Sequence, residues 1–473
     1  MVGVLIPFRT IVTNLVESWL RGGPRALWDG LRIESSVRLG ILLVCLLIPG
    51  AAFAADEEAP SIEQWALHGQ ATGIEQYHPA FRSAYRGPNS LDPGSRGNET
   101  VNLTAYAGAR VWDGGEVWAD LEMDQGFGLS NTLGVAAFTN GEGSKVGKAV
   151  PYLRLHRLFF RQSFDLGGEA AALESQANQL AGSRTADNVI VTLGKFSPGD
   201  VFDTNDYAHD PMHDFLNWAV IDAGPWDYAA DAWGYSYGGA AEWSFSDWTL
   251  RGGLFDLSRV PNGTELTRGF GQYQLDGEVE RRVTLWGHPG KIKLLGFASR
   301  GRIGDYSDAV KLAVATHRPA DISLVRRGAW KSGMSLNLQQ GLSEDLGFFL
   351  RATINDGSKE GEEFTDMANS ILGGLSLKGE AWDRKDDTVG LAIESGGMSD
   401  AGKRFFAAGG LGILIGDGRL DHYDRENVIE AYYAAKLWNG ITGTLDYQFI
   451  ANPAYNADRG PVSVFGVRLH GEF

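Results

Sequence analysis

The chain has 473 residues, 43% of them hydrophobic, with a mean hydropathy of −0.18 and a formal net charge of −17. No apolar run of helical membrane-spanning length follows residue 55, which excludes a membrane protein built of helices, so any embedding in lipid is by strands. The acid excess and the lack of a basic stripe exclude nucleic acid as a partner.

The chain opens on an unusually long extension that ends at Arg38. An apolar run over 39–48, then Pro49–Gly50 and Ala52–Phe53–Ala54, completes a secretory signal, with cleavage expected after Ala54. The single cysteine, Cys45, lies inside that run, so the exported chain draws its stability from hydrogen-bonded closure or a large core and not from disulfides. Residues 55–65 form a short acidic segment, and 66–473 read as one domain.

From residue 66 onward the dominant period is two. In 100–111, Val101, Leu103, Ala105, Ala107, Ala109 and Val111 fall on one side and Asn102, Thr104, Tyr106, Gly108 and Arg110 on the other, the pattern of a strand with one apolar face. The stretch 231–245 alternates in the same way, with Trp233, Tyr235, Tyr237, Ala241, Trp243 and Phe245 on one face. Similar segments recur at 66–77, 116–123, 151–163, 189–196, 248–257, 271–283, 291–300, 309–317, 329–340, 346–354, 370–380, 388–396, 428–438, 441–449 and 462–473. In the last of these Phe465, Val467, Leu469, Gly471 and Phe473 share a face opposite Arg468, His470 and Glu472.

An open sheet of this size leaves two unpaired edges, which lipid does not tolerate, and closure removes both. The expected fold is therefore all-β: a single transmembrane antiparallel β-barrel of 16 strands, with 18 as the alternative. An even strand number makes one of the segments a non-strand, and 116–123 and 309–317 are the weakest. WSFSDW (243–248), GHPGK (287–291), QGLSEDLG (340–347) and WNGI (438–441) read as short turns, and 78–99, 124–150, 197–230, 355–369 and 397–427 as external loops or inward-folded plugs. Trp233, Trp243, Trp248, Trp438 and Phe449 are expected in interfacial girdles.

The stretches 68–91, 124–142, 195–220 (KFSPGDVFDTNDYAHDPMHDFLNWAV) and 446–473 resemble the carbohydrate-selective outer-membrane porins, the OprB family, and the likeness spans the exported chain. The resemblance implies a 16-stranded barrel in the bacterial outer membrane that lets sugars diffuse passively into the periplasm. It also implies that barrel-assembly machinery reads the C-terminal strand through Phe473. Monomer and homotrimer both fit the strand pattern, and a general, weakly cation-preferring pore stays open beside a sugar-selective one.

A sugar passage needs hydrogen-bonding groups with an occasional aromatic platform. The polar strand faces supply Arg110; Glu116, Trp118, Asp120, Glu122 and Asp124; Tyr152, Arg154 and His156; Glu242; and Gln272 and Gln274, continued by Asp276, Glu278 and Glu280. Arg351, Lys378, Glu380, Glu394, Glu430, Lys436, Asp446 and Gln448 extend this mostly acidic lining, in which no arginine or lysine ladder is evident. The crowded segment 197–220 offers Asp203, Asn205, Asp206, His209, Asp210, His213 and Asp214 as an inward-folded constriction loop held by hydrogen bonds to the wall. The spacing of its histidines and acids does not make a metal motif, no cofactor is implied, and with no G-x-S-x-G or paired catalytic motif an enzyme is not expected.

Overall fold

The computed structural model describes residues 62–143 and 147–473. The proposed signal peptide and most of the acidic segment lie outside the described residues. Sixteen antiparallel strands close into one barrel in which each pairs with its chain neighbours and β1 pairs with β16. They are β1 (Trp65–His78), β2 (Arg96–Trp112), β3 (Gly115–Gly126), β4 (Lys148–Leu173), β5 (Gly182–Phe196), β6 (Ser236–Phe245), β7 (Trp248–Asp256) and β8 (Tyr273–Leu285). The second half comprises β9 (His288–Ile303), β10 (Arg327–Gly341), β11 (Leu346–Asn355), β12 (Asn369–Gly379), β13 (Arg384–Gly397), β14 (Glu426–Trp438), β15 (Ile441–Ala451) and β16 (Val462–Glu472).

Period-two alternation places the apolar side chains outward. Leu67, Leu121, Leu193, Ile371, Ile393, Leu445 and Val467 are all exposed on the barrel exterior, as a lipid-facing belt requires. Trp65, Trp112, Trp243, Trp248, Trp286 and Trp438 stand exposed near the short-turn end, where aromatic rings suit the membrane interface. Trp233 does not join them: the strand over 231–245 begins only at Ser236, and Trp233 and Tyr235 belong to the preceding loop.

Of the seventeen segments, 116–123 is a strand and 309–317 is not. Asp305 caps a helix, Tyr306–Thr316, by accepting from Ser307 N (2.9 Å) and Asp308 N (3.2 Å). Tyr306, Ala309 and Ala313 are its buried face. Their three- and four-residue spacing outweighs the weaker two-residue alternation. The turn read over 287–291 is narrower than expected: Trp286 and Gly287 form it, both at positive φ, and His288 already begins β9.

Short turns and long loops segregate to opposite ends. The long loops, among them 79–95, 127–147, 197–235, 257–272, 304–326, 356–368 and 398–425, do not all stay outside. Rings from three of them meet inside the barrel: Phe138 stacks on Trp218 (centroids 4.9 Å), Trp218 on Phe364 (4.6 Å), and Tyr228 packs against Phe364 (4.5 Å) and Trp226 (5.0 Å). The hydrophobic core of this barrel is thus made by its loops packed against inward wall residues such as Phe255, Phe349 and Tyr432.

Closure depends on a glycine. Gly69 N donates to Phe473 O at 2.8 Å and Phe473 N returns a bond to Gly69 O at 2.9 Å, while the Phe473 ring lies across Gly69 so closely that a Cβ there would meet the ring at 2.4 Å. Gly69→Val is expected to displace Phe473 from the β1–β16 seam and to lower the yield of closed barrel. The measurement is the fraction running as the folded, heat-modifiable band on a denaturing gel; an undiminished fraction would show that the ring is not needed at the seam.

Candidate functional site

The loop 197–235, entering after β5, is anchored to the barrel wall by charge in both directions. Its acids meet wall cations. Asp200 receives two hydrogen bonds from Arg157 (2.7 and 2.8 Å), Asp203 lies 2.9 Å from Arg351, Asp206 accepts from Lys291 at 2.9 Å, Asp227 from Lys331 at 2.9 Å, and Asp231 lies 3.2 Å from Lys195. In return, wall side chains accept from loop donors: Glu278 from Asp203 N (2.9 Å), Glu430 from Leu216 N (2.5 Å), Asp276 from Trp226 Nε1 (3.1 Å) and Gln274 from Ala229 N (2.6 Å). Glu426 does the same for loop 127–147, accepting from Ala136 N and Ala137 N. Buried charges persist only where paired and hydrogen-bonded, and Asp203, Asp227 and Asp231 of this loop meet that condition.

Exposure separates two halves of the lumen. Arg351, Arg468, Glu394, Glu426, Glu430 and Gln448 are fully buried. Apart from Glu394 they hold loop groups: the Arg351 guanidinium donates to the carbonyls of Val220, Asp203 and Ala208, and that of Arg468 to those of Pro211, His213 and Asp214. On the β3–β7 side, by contrast, Arg154 and Asp200 keep 30% of their side-chain surface exposed, Glu242 23%, and Arg157 and Asp124 18%. The open inward surface is there.

A β-bulge shapes that surface. Asp120 pairs with Arg157 and Leu121 with Leu155, so His156 is the extra residue, and His156 and Arg157 both turn inward. Strict alternation would have sent Arg157 to lipid. The bulge instead stacks Arg154, Arg157 and Arg161 along one inner face, a basic row where the sequence suggested none. Arg157 reaches Asp120 (3.5 Å) as well as Asp200, and His156 lies 3.2 Å from Asp124 and 3.7 Å from Glu122. Loop aromatics cover this face: Tyr235 stacks on His156 (4.4 Å), and Trp233 lies under Arg154 (3.3 Å) and donates to Tyr152 Oη at 2.9 Å. Arg251 bridges Glu242, Glu278 and Glu280 (2.7–2.9 Å).

Other expected residues stand elsewhere. Trp118 is fully buried, its ring pressed where a Cβ at Gly108 would lie, so it is packing and not an exposed platform. Gln272 precedes β8 and donates to the carbonyls of Ser258 and Arg259 within loop 257–272. Glu380 falls in the turn before β13. Asn205 donates to Asn337, His209 bonds Gly199 O, Asp210 and Glu472 both bond His213, and Asp214 accepts from His209 N and Asp210 N. Arg110 supports a feature the sequence reading missed: β4 and β5 run on beyond the other strands, and the tip of their hairpin, 174–181, folds back into the turn-end opening. There Asn178 donates to Asp120 at 2.9 Å, Arg161 donates to Asn178 O at 2.6 Å and Arg110 donates to Ala181 O at 3.3 Å. The signal was present in length, since 164–188 is too long for a short turn.

Electrostatics of the loop groups follow from these contacts. Burial alone would raise the Asp200 carboxyl, but the Arg157 guanidinium holds it below the usual carboxylate range. Glu142, in loop 127–147 and hydrogen-bonded by Asn102, is pushed well above that range by burial and then by Glu122, Asp210 and Asp124.

The family model described as "Carbohydrate-selective porin, OprB family" matches residues 89–473. No curated protein sequence matches the chain. Among solved structures, the high-pH structure of Pseudomonas putida OprB is similar at a TM-score of 0.67 and 16% identity, over 87% of this chain and 94% of that one. The outer-membrane channel DcaP of Acinetobacter baumannii aligns over 89% of this chain and all of its own at 10% identity, with a TM-score of 0.47.

Two outcomes test this geometry. Arg351→Met leaves the Asp203 carboxylate buried and unpaired, at a cost of about 3–5 kcal/mol to loop docking; larger and noisier single-channel currents in planar bilayers are expected, and native-sized steps would show that the loop holds without this anchor. A carboxyl held well above its ordinary range gives up its proton only at a pH above that range. Cation preference, read as reversal potential in a salt gradient, should therefore go on increasing at pH values above the range where ordinary carboxyls have charged, and Glu142→Gln should flatten that increase.

Proposed function

The chain belongs to the carbohydrate-selective porin (OprB) family, a family of outer-membrane channels, and from that premise we propose that it is a passive diffusion channel for mono- or oligosaccharides. The observation that carries this reading is the cluster of Arg157, Asp200, Asp120 and Asn178 beside Tyr106 and Tyr235. It combines fixed donors and acceptors with aromatic faces, which is what a sugar's hydroxyl rim and apolar ring face require. Asp200 and Arg157 keep 30% and 18% of their side-chain surface exposed and are the groups a passing hydroxyl would meet, while Asp120, fully buried, backs Arg157 at 3.5 Å.

The path is polar with an acidic balance, and its cations are already engaged by carboxylates, so neutral solutes lose little on entry and small cations are preferred over anions. Residues 1–54 act as the export signal and 66–473 as the porin domain. Phe473 serves the assembly machinery. Nothing in the site calls for a catalytic role. The general cation-preferring pore is favoured only if the aromatic cluster contributes no binding.

Oligosaccharide-dependent block of single-channel current distinguishes the two. A saturable block, weakened by Asp120→Ala and by Tyr235→Ala, is the expected result, whereas current that falls only in proportion to solution viscosity would leave the general pore.

A further inference from the structure

We infer that His213, His470 and Glu472 form a divalent-metal site of the zinc class that ties the constriction loop to β16 at the turn end of the lumen. The three come from distant points in the chain. His213 lies in loop 197–235, carried to the base of the barrel because Arg468 of β16 donates to the carbonyls of Pro211, His213 and Asp214. His470 and Glu472 are two residues apart on β16, on its inward face. His213 Nε2 lies 2.5 Å and His470 Nε2 3.1 Å from the same oxygen, Glu472 Oε1, and the two rings meet edge to face at 4.5 Å. All three ligand atoms fall within 4.8 Å of one another.

Each imidazole is oriented from behind. His213 Nδ1 bonds Asp210 at 2.9 Å and His470 Nδ1 bonds Thr72 Oγ1 at 2.8 Å. With the proton on Nδ1, both Nε2 lone pairs face the Glu472 oxygen, and the bonds to Asp210 and Thr72 fix tautomer and ring direction as outer hydrogen bonds do in metal-binding histidines. Two imidazole nitrogens and one carboxylate oxygen are the donor set of three-ligand zinc sites that keep a fourth position for water. A tetrahedral ion with bonds of about 2.0–2.2 Å spaces its donors by roughly 3.3–3.6 Å, so the two nitrogen–oxygen distances need to open by roughly 0.2–1.1 Å. His213 and Glu472 keep 44% and 56% of their side-chain surface exposed, which provides the entry route. The pair His209 and His213, four apart in sequence, is not the site: His209 turns away to Gly199 O at 3.1 Å.

The test uses the full barrel in detergent micelles, stripped by a chelator and titrated with Zn²⁺ against a chromophoric competitor, with Co²⁺ as a spectroscopic probe. One Zn²⁺ per barrel is expected, with the visible absorption of tetrahedral Co²⁺ and at least a tenfold loss of affinity in both His213→Ala and His470→Ala. Affinity retained by either variant, or no binding by the native barrel, overturns the site and leaves a proton-held ion-paired triad. Should the histidine variants not fold, Thr72→Val, which removes no ligand, decides: a 10–100-fold weakening supports the site and unchanged affinity overturns it.

Discussion

The lumen is organised by reciprocal charge between one loop and the wall around it. A barrel of sixteen strands is too wide for its own inward side chains to fill, so without an insertion it is an open aqueous channel. Here loop 197–235 brings acids that meet Arg157, Arg351, Lys291, Lys331 and Lys195, while the wall answers with Glu278, Glu430, Asp276 and Gln274 for the loop's donors. Neither partner set is tolerable alone in a dry interior, because each would leave unpaired charge or an orphaned N–H. The aromatic cluster of Phe138, Trp218, Tyr228 and Phe364 joins this loop to two others inside the barrel.

Such an arrangement favours position over stability. Buried ion pairs roughly break even against apolar replacements, so the network is better understood as fixing where the loop lies than as holding the barrel closed. Closure is a matter of backbone pairing around sixteen strands, including the Gly69–Phe473 exchange at the seam. The fully buried anchors Arg351, Glu430 and Arg468 stand on β11, β14 and β16, and the open surface falls along β3–β7, with the Arg154–Arg157–Arg161 row and the aromatics Trp233 and Tyr235 beside it.

The strands were legible because alternation is a local property, and lipid on one side with water or polar loop on the other enforces it residue by residue. The helix Tyr306–Thr316 was misread where short apolar residues satisfy periods of two and 3.6 alike over a few positions, and the capping Asp305 was the deciding clue. Composition identified loop 197–235 as an inward fold, but not what its acids touch, since Lys291, Lys331 and Arg351 lie far along the chain and their partnership exists only after closure. The bulge at His156 left no mark at all in the residue pattern, and it alone decides that Arg157 faces inward.

That bulge bears on what crosses the barrel. With Arg157 pointing to lipid, Asp200 and Asp120 would stand without their cation and the passage would be bordered by acids from β3 and the loop. With Arg157 inward, Asp200 becomes half of a bidentate pair and Asp120 lies 3.5 Å from the same guanidinium, so the surface offers donors and acceptors side by side. The net charge of −17 is therefore a poor guide to the field inside. Ions respond to the carboxylates not matched by a cation, such as Glu142 once it charges, whereas a hydroxyl can donate to the acid and accept from the guanidinium at the same time. One inserted residue in one strand turns a row of acids into a surface of paired donors and acceptors.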